Sequence, residues 1–286
     1  MVICFSDNTQ YFPVLGVNII SIIGCFAVII TFLTLRDSQT YSLRLVFYIA
    51  ITDFIKSISF CIPCHMLENN ILINFSAFLA RASAVITCLW AVAISNALYQ
   101  IVINNVEKFE KFHKRWIIIL IILIALNIGL MFINVYTSVD TLCTFNLTPL
   151  GNYLRIGTIY APEWLFLIYS ILAYYKVQKK IRNLTLTETK AHSIKRLFVF
   201  SIATFITYLP MSIIRIVEMF YNDCIINEAY LFAFCIYSLA GLLNALAYFW
   251  AFNLHMIWKK KTIIVSIPLR ASEVSSINLL YHSLAK

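Results

Sequence analysis

Charge is what this sequence has least of: 12% of its residues are Asp, Glu, Lys or Arg, where a soluble domain carries about 25%. That scarcity excludes an ordinary water-facing surface. No repeat of 20 to 50 residues, no low-complexity tract and no inverted pair of broken helices is present, which argues against a solenoid and against a transporter assembled from repeats. The apolar stretches show no two-residue alternation, so barrel strands are excluded as well. Five histidines are scattered over ends, loops and tail (His65, His113, His192, His255 and His282), and no metal site can be assembled from them. Residues 1–11 lack a basic leader segment, so the first apolar block is expected to act as its own anchor rather than as a cleaved signal.

What the chain does have is hydrophobic bulk, 61% of its residues against about 45–50% in soluble domains. The apolar residues fall into seven blocks at 12–35, 43–65, 76–100, 116–137, 155–178, 197–221 and 229–252. Each is long enough to cross about 30 Å of hydrocarbon, which takes roughly 20 helical residues. Lipid offers no partner to a free backbone group, so the blocks must be helices. The expected fold is therefore all-α, a seven-helix transmembrane bundle over 1–252 followed by a tail at 253–286. Apart from Lys56, Arg81 and Arg215 inside the blocks and Arg155 on the opposite side, the 22 Lys and Arg gather in the first, third and fifth connections and the tail. Basic loops stay cytoplasmic, which puts the amino end outside and the carboxyl end inside. The same asymmetry accounts for the net charge of +9; nucleic-acid binding is rejected, and the bilayer, with its anionic inner leaflet, is the expected partner. In the tail, "FNLHMIWKKK" reads as a short amphipathic helix lying on lipid.

Away from the block ends lie six ionisable residues: Asp53, Lys56, Arg81, Glu163, Arg215 and Glu218. Such groups are expensive in lipid and usually face a bundle interior or a wet cavity. Counting about 1.5 Å per residue from the outer boundaries places Lys56, Arg81, Glu163, Arg215 and Glu218 in the outer half. These five are the candidate ligand-binding residues, and their cationic excess suits a small polar, possibly anionic, ligand. Asp53 lies deeper, level with Asn244 of the last block, so those two are expected to meet. Asp53 and Lys56 are three residues apart and share a helix side. A close Arg215–Glu218 pair and outward snorkelling of Arg81 are the bland alternatives.

Of eight cysteines, Cys25, Cys88 and Cys235 sit inside blocks as packing residues, and Cys61 is ambiguous. Cys4, Cys64, Cys143 and Cys224 lie at or near the outer face, where disulfides persist; four cysteines allow three pairings, and Cys64 with Cys143 is slightly favoured. Asn146-Leu147-Thr148 is an outer-face glycosylation sequon disfavoured by Pro149; Asn183-Leu184-Thr185 faces the cytosol.

Four stretches, "VFYIAITDF" (46–54), "CLWAVAISNALY" (88–99), "YAPEWLFLIYSILAYY" (160–175) and "YSLAGLLNALAYFW" (237–250), together resemble the slime-mould cyclic AMP receptor-like family of G-protein-coupled receptors, in order over nearly the whole membrane domain. The resemblance implies a multi-pass receptor of the plasma membrane that binds a small extracellular ligand and activates a heterotrimeric G protein, without enzymatic activity or cofactor. Carried over residue by residue, Asp53, Trp90, Tyr99, Pro210, Gly241, Asn244 and Tyr248 are the expected signal-transmission positions. Gly241 permits close helix approach, Asn244 hydrogen-bonds across the bundle, and Pro210 weakens its helix into a hinge. Two departures stand out: the outer end of the third block, "FSAFLARAS", lacks the cysteine such receptors commonly pair with the second outer loop, and Lys56 is foreign to the pattern. A transporter or channel using Asp53, Lys56 and Glu163 as a polar path is the alternative. A retinal protein would need a lysine in 229–252, where there is none, and no nucleophile with a nearby base suggests a hydrolase.

Overall fold

The computed structural model describes residues 11–34, 41–64, 67, 69–104, 106, 110–132, 136–139, 142–145, 148–182, 188–220 and 227–251. The expected tail helix, both sequons' asparagines, Cys4 and Cys224 lie outside the described residues, as does the side chain of Glu218.

The fold is nearly all helical. In chain order come α1 (Tyr11–Thr34), α2 (Tyr41–Cys61), α3 (Asn70–Ile103) and α4 (Glu110–Phe132). A hairpin of β1 (Tyr136–Val139) and β2 (Leu142–Phe145) follows, then α5 (Pro149–Arg155), which runs through a π-helical turn at Ile156–Tyr160 into α6 (Ala161–Arg182). The chain continues with α7 (Glu188–Phe220), α8 (Asn227–Ser238) and α9 (Ala240–Ala251). Every apolar block coincides with a helix or a helix pair. Among the described residues, five helices are long and apolar enough to cross a membrane, six if α8 and α9, bent by 41°, are one broken span. The remaining block, α2, is helical throughout its 21 residues but carries Arg44, Asp53 and Lys56 within them.

Burial runs opposite to that of a soluble protein. Asn18, Asp53, Lys56, Thr87, Thr207 and Ser238 are wholly enclosed, while Ile118, Ile121, Leu126, Leu165, Ile168 and Leu172 lie bare on the outside. On α6 the bare residues follow the helical repeat, so one complete face is apolar and unpartnered. Water would penalise such a surface and hydrocarbon does not, as expected of a multi-pass membrane protein.

The central element is α3, whose 34 residues are enclosed along most of their length and which packs against α2, α4, α6 and α7. Asn69 caps its start by accepting the Ile71 amide at 2.8 Å. Helix α1 packs against α2, α8 and α9 through a seam of Val14, Asn18, Ser21, Cys25, Val28 and Phe32. Its contact with α9 is close because glycine occupies both sides. A Cβ on Gly241 would collide with Ser21 Oγ and Cys25 Sγ and lie 3.3 Å from the Ser21 carbonyl; one on Gly24 would lie 3.1 Å from Leu242 Cα.

Three features depart from the sequence reading. The all-α expectation omits the antiparallel hairpin, in which Tyr136 faces Phe145 and Ser138 faces Cys143; four-residue strands are too short for a legible alternation. The fifth block extends outward through α5, started by Thr148, which accepts the Gly151 amide at 3.2 Å, and by Pro149 in the first turn. The last block is broken at Leu239, whose amide is shared between the Cys235 and Ile236 carbonyls, a joint set between Ser238 and Gly241 of the kind that small residues permit.

Candidate functional site

Two groups of polar residues in the bundle lie one above the other on either side of Tyr208 and Tyr237. The inner layer centres on Asp53, on the enclosed face of α2. Its carboxylate takes the Lys56 ammonium at 3.0 Å, both side chains being fully buried. Asn244 of α9 donates to Oδ2 at 2.7 Å, and Thr87 of α3 donates to Oδ1 at 3.2 Å. Thr87 is also within 2.9 Å of Thr52. Three helices thus converge on one carboxylate, which satisfies the requirement that a charge removed from water be paired and hydrogen-bonded.

Lys56 is held from its other side as well. Its Nζ donates to Tyr208 Oη at 3.1 Å and lies 4.9 Å and 4.7 Å from the ring centres of Tyr208 and Tyr237. Those two rings meet edge to face at 4.8 Å. The ammonium is caged by a carboxylate below and two aromatic faces above, a favourable arrangement for a desolvated cation.

The outer layer lies on the far side of the same two rings. A hollow of about 400 Å³, counting the open space at its mouth, is bounded by α2, α3, α6, α7 and α8. Arg81, Glu163 and Arg215 all line it, and Tyr208 and Tyr237 contribute to its wall. Lys56 is not among the lining residues; it stands one layer beneath, behind the tyrosines. Glu163 is 3% exposed and forms no hydrogen bond or ion pair with the described residues. Arg81 donates from Nη2 to Thr144 Oγ1, while its Nε–H is buried without a partner among the described residues. Arg215 stacks on Tyr230, its guanidinium carbon 4.3 Å from the ring centre, and donates to the Tyr230 hydroxyl. Arg155, absent from the sequence-based set, is buried nearby: it donates to the Phe145 carbonyl at 3.1 Å, and the charges of Arg81 and Arg215 act on it.

Local chain geometry explains why these side chains converge. Pro162 has no amide to continue the helix, and the wide turn at Ile156–Tyr160 ends just before it. A π turn shifts the residues beyond it around the helix axis, and Tyr160 and Glu163 both reach the hollow. On α7, Pro210 lies inside the helix between Tyr208 and Met211, which both line the hollow. The backbone there is braced by Thr207 and Ser212, whose hydroxyls donate to carbonyls of the preceding turn.

The mouth is stapled by the hairpin. Cys143 of β2 is disulfide-bonded to Cys64, just past the end of α2, with Cα atoms 5.4 Å apart. From α3, Arg81 holds Thr144, the residue next to Cys143. Beside it, burial pushes the Tyr136 phenol up to about 12, partly offset by the Arg81 charge.

Of the other expected positions, Trp90 is buried with its ring 4.8 Å from that of Tyr48, Tyr99 lies beneath the Lys176 ammonium at 5.8 Å, and Tyr248 is buried one turn beyond Asn244. Thr87, Tyr208 and Tyr237 escaped the sequence reading. Threonine and tyrosine inside an apolar block read as packing, and only long-range contacts reveal their role.

No family model matches this chain. Two curated proteins are similar to parts of it. One is "Cyclic AMP receptor-like protein G" of Dictyostelium discoideum, 28% identical over 145 residues, 47% of this chain and 28% of the relative. The other is "G-protein coupled receptor 1" of Arabidopsis thaliana, 22% identical over 173 residues, 59% of this chain and 51% of the relative. The chain thus spans between about a quarter and half of the length of these relatives, at an identity that supports a distant likeness to proteins of the G-protein-coupled receptor kind.

Proposed function

We propose that this chain is a seven-span receptor of the plasma membrane, amino end outside and carboxyl end cytoplasmic, that responds to a small polar extracellular ligand by activating a heterotrimeric G protein. The observation that carries the reading is the physical continuity between the two layers. Tyr208 and Tyr237 face the hollow and at the same time hold Lys56, which is bound to Asp53, and through it to Asn244 and Thr87. A solute that moves either ring changes the cage of a buried ammonium. Because buried charges tolerate few arrangements, the network is suited to switching between discrete packings rather than deforming gradually.

The ligand needs only a differential affinity for two packings of α7 and α8 against α2. Pro210 provides the flexible point on α7 and the joint at Leu239 the one on the last span. The names of both relatives agree with such a role. The Asp53–Lys56 pair, caged on all sides, does not favour the alternative of an open polar path.

The test is nucleotide exchange on a co-reconstituted heterotrimeric G protein, with cyclic nucleotides and small carboxylates as the first panel. At least one compound is expected to raise the exchange rate, and Arg215→Leu to weaken its potency at least tenfold. Ligand-independent ion flux through liposomes, with exchange unmoved by every compound, would overturn the reading.

A further inference from the structure

The hollow contains an imbalance that a purely anionic ligand leaves unresolved. Glu163 is the acidic side chain of its lining, it is almost wholly enclosed, and no described residue hydrogen-bonds to it or forms an ion pair with it. A buried carboxylate left without a donor is costly, and simple packing offers no reason to retain it. On the basic side, Arg81 keeps a buried Nε–H without an acceptor among the described residues, and Arg155 lies close enough for the charges of Arg81 and Arg215 to act on it. Both halves of a salt-bridging site are present and unpaired with each other. Aromatic residues complete the lining, Phe60, Tyr160, Tyr230 and Phe234 beside Tyr208 and Tyr237, and their faces suit an ammonium group as well as an apolar body.

Resting on the receptor reading, we infer that the ligand is a compact molecule bearing both a protonated amine and an oxyanion, the amine held by Glu163 and the carboxylate or phosphate by Arg81 and Arg215. The amine supplies the donors that Glu163 lacks, and the oxyanion supplies the acceptor that the Arg81 Nε–H lacks, with charge assistance on both ends. An anion alone satisfies Arg81 and leaves the carboxylate stranded beside a second negative charge. An amine alone does the reverse. The small enclosed space favours a ligand of few heavy atoms, and the aromatic rings must turn slightly to admit it. That movement includes Tyr208 and Tyr237, the two residues coupled to Lys56.

Calorimetry on the full chain in lipid nanodiscs tests this with two matched sets of probes. One is phenylalanine, phenethylamine and 3-phenylpropanoate; the other is phosphoethanolamine, ethanolamine and ethyl phosphate. In at least one set the complete compound is expected to bind at least tenfold more tightly than either truncated partner, and the set that responds distinguishes carboxylate from phosphate. Glu163→Gln is expected to reduce the complete compound to the affinity of its acid, and Arg81→Gln combined with Arg215→Gln to that of its amine. Glu163→Asp keeps the charge and is expected to retain the preference at lower affinity, which separates loss of charge from misfolding. Acids that bind as tightly as their parents, a preference that survives Glu163→Gln, or no binding in either set would each overturn the inference. G-protein exchange in the same nanodiscs separates the two readings. Binding of the complete compounds without exchange condemns the receptor role alone, whereas exchange driven equally by simple anions condemns only the amine requirement.

Discussion

Replacing Lys56 with methionine removes the ammonium from its cage while keeping most of its volume. Asp53 then remains fully enclosed, with Asn244 and Thr87 as its donors at 2.7 Å and 3.2 Å. Removing one member of a buried ion pair costs about 3–5 kcal/mol, because the other charge is left uncompensated. Two surviving hydrogen bonds place the expected loss at the lower end, about 3 kcal/mol. At roughly 2–4 °C per kcal/mol for a chain of this order, the melting temperature should fall by about 6–12 °C. Asp53→Asn leaves Lys56 with the Tyr208 hydroxyl and two ring faces, which are worth about 2 kcal/mol to a desolvated cation. Its loss should therefore be somewhat smaller. The double variant removes both charges, and a neutral pair of similar volume is often as stable as the ionic one. It should melt no lower than Lys56→Met alone. The assay is thermal unfolding in nanodiscs followed with a thiol-reactive dye in a Cys61→Ser, Cys235→Ser background, since the free cysteines then left among the described residues, Cys25 and Cys88, are buried and react only when the bundle opens. Additive losses in the double variant, or single variants within about 2 °C of wild type, would show that the two side chains do not share one enclosed site.

At the α1–α9 seam, Gly241→Ala is expected to cost about 1–3 kcal/mol through overpacking as Ser21 and Cys25 turn aside, and Gly241→Leu to abolish assembly; elution as a single sharp peak for Gly241→Leu would refute the close approach. Cys64→Ser or Cys143→Ser opens a cross-link between residues 79 positions apart, for which chain entropy gives an upper figure of about 4.5 kcal/mol; the losses from the single and double cysteine variants should be equal, and unequal melting shifts would mean the two are not bonded. Orientation is tested by inserting an epitope within 183–187 and another beside Thr148, with the first expected to bind antibody only in permeabilised cells and the second in intact ones.

How far the site was legible depended on the range of the interactions. Asp53 and Lys56 share a side because three residues is nearly one helical turn, and Asn244 meets Asp53 at the depth that counting along two helices gives. Those inferences need only the helical rise. The caging of Lys56 by Tyr208 and Tyr237 joins residues 152 and 181 positions away, and no local pattern marks a tyrosine as a partner rather than as filler. That is why depth alone puts Lys56 among the candidate ligand-binding residues, whereas it stands behind the wall of the hollow. The hairpin was hidden because four-residue strands between helices carry too few side chains to show a period. The break at Leu239 was hidden because it needs no proline: small residues on both sides and a close α1 neighbour suffice. Arg155 read as an outer-face charge, since its burial depends on the Phe145 carbonyl of a strand that the sequence did not announce.

The joint at Leu239 divides the last span into an upper piece that forms part of the pocket wall and a lower piece that bears Asn244 and Tyr248. The lower piece is about 18 Å long at 1.5 Å per residue, so each degree added to or removed from the 41° bend sweeps its far tip through about 0.3 Å. A shift of roughly three degrees is thereby multiplied into a displacement of about 1 Å at the end of α9. Leverage of that kind would let the proposed ligand act at the far end of α9 without any long-distance rearrangement of the other helices.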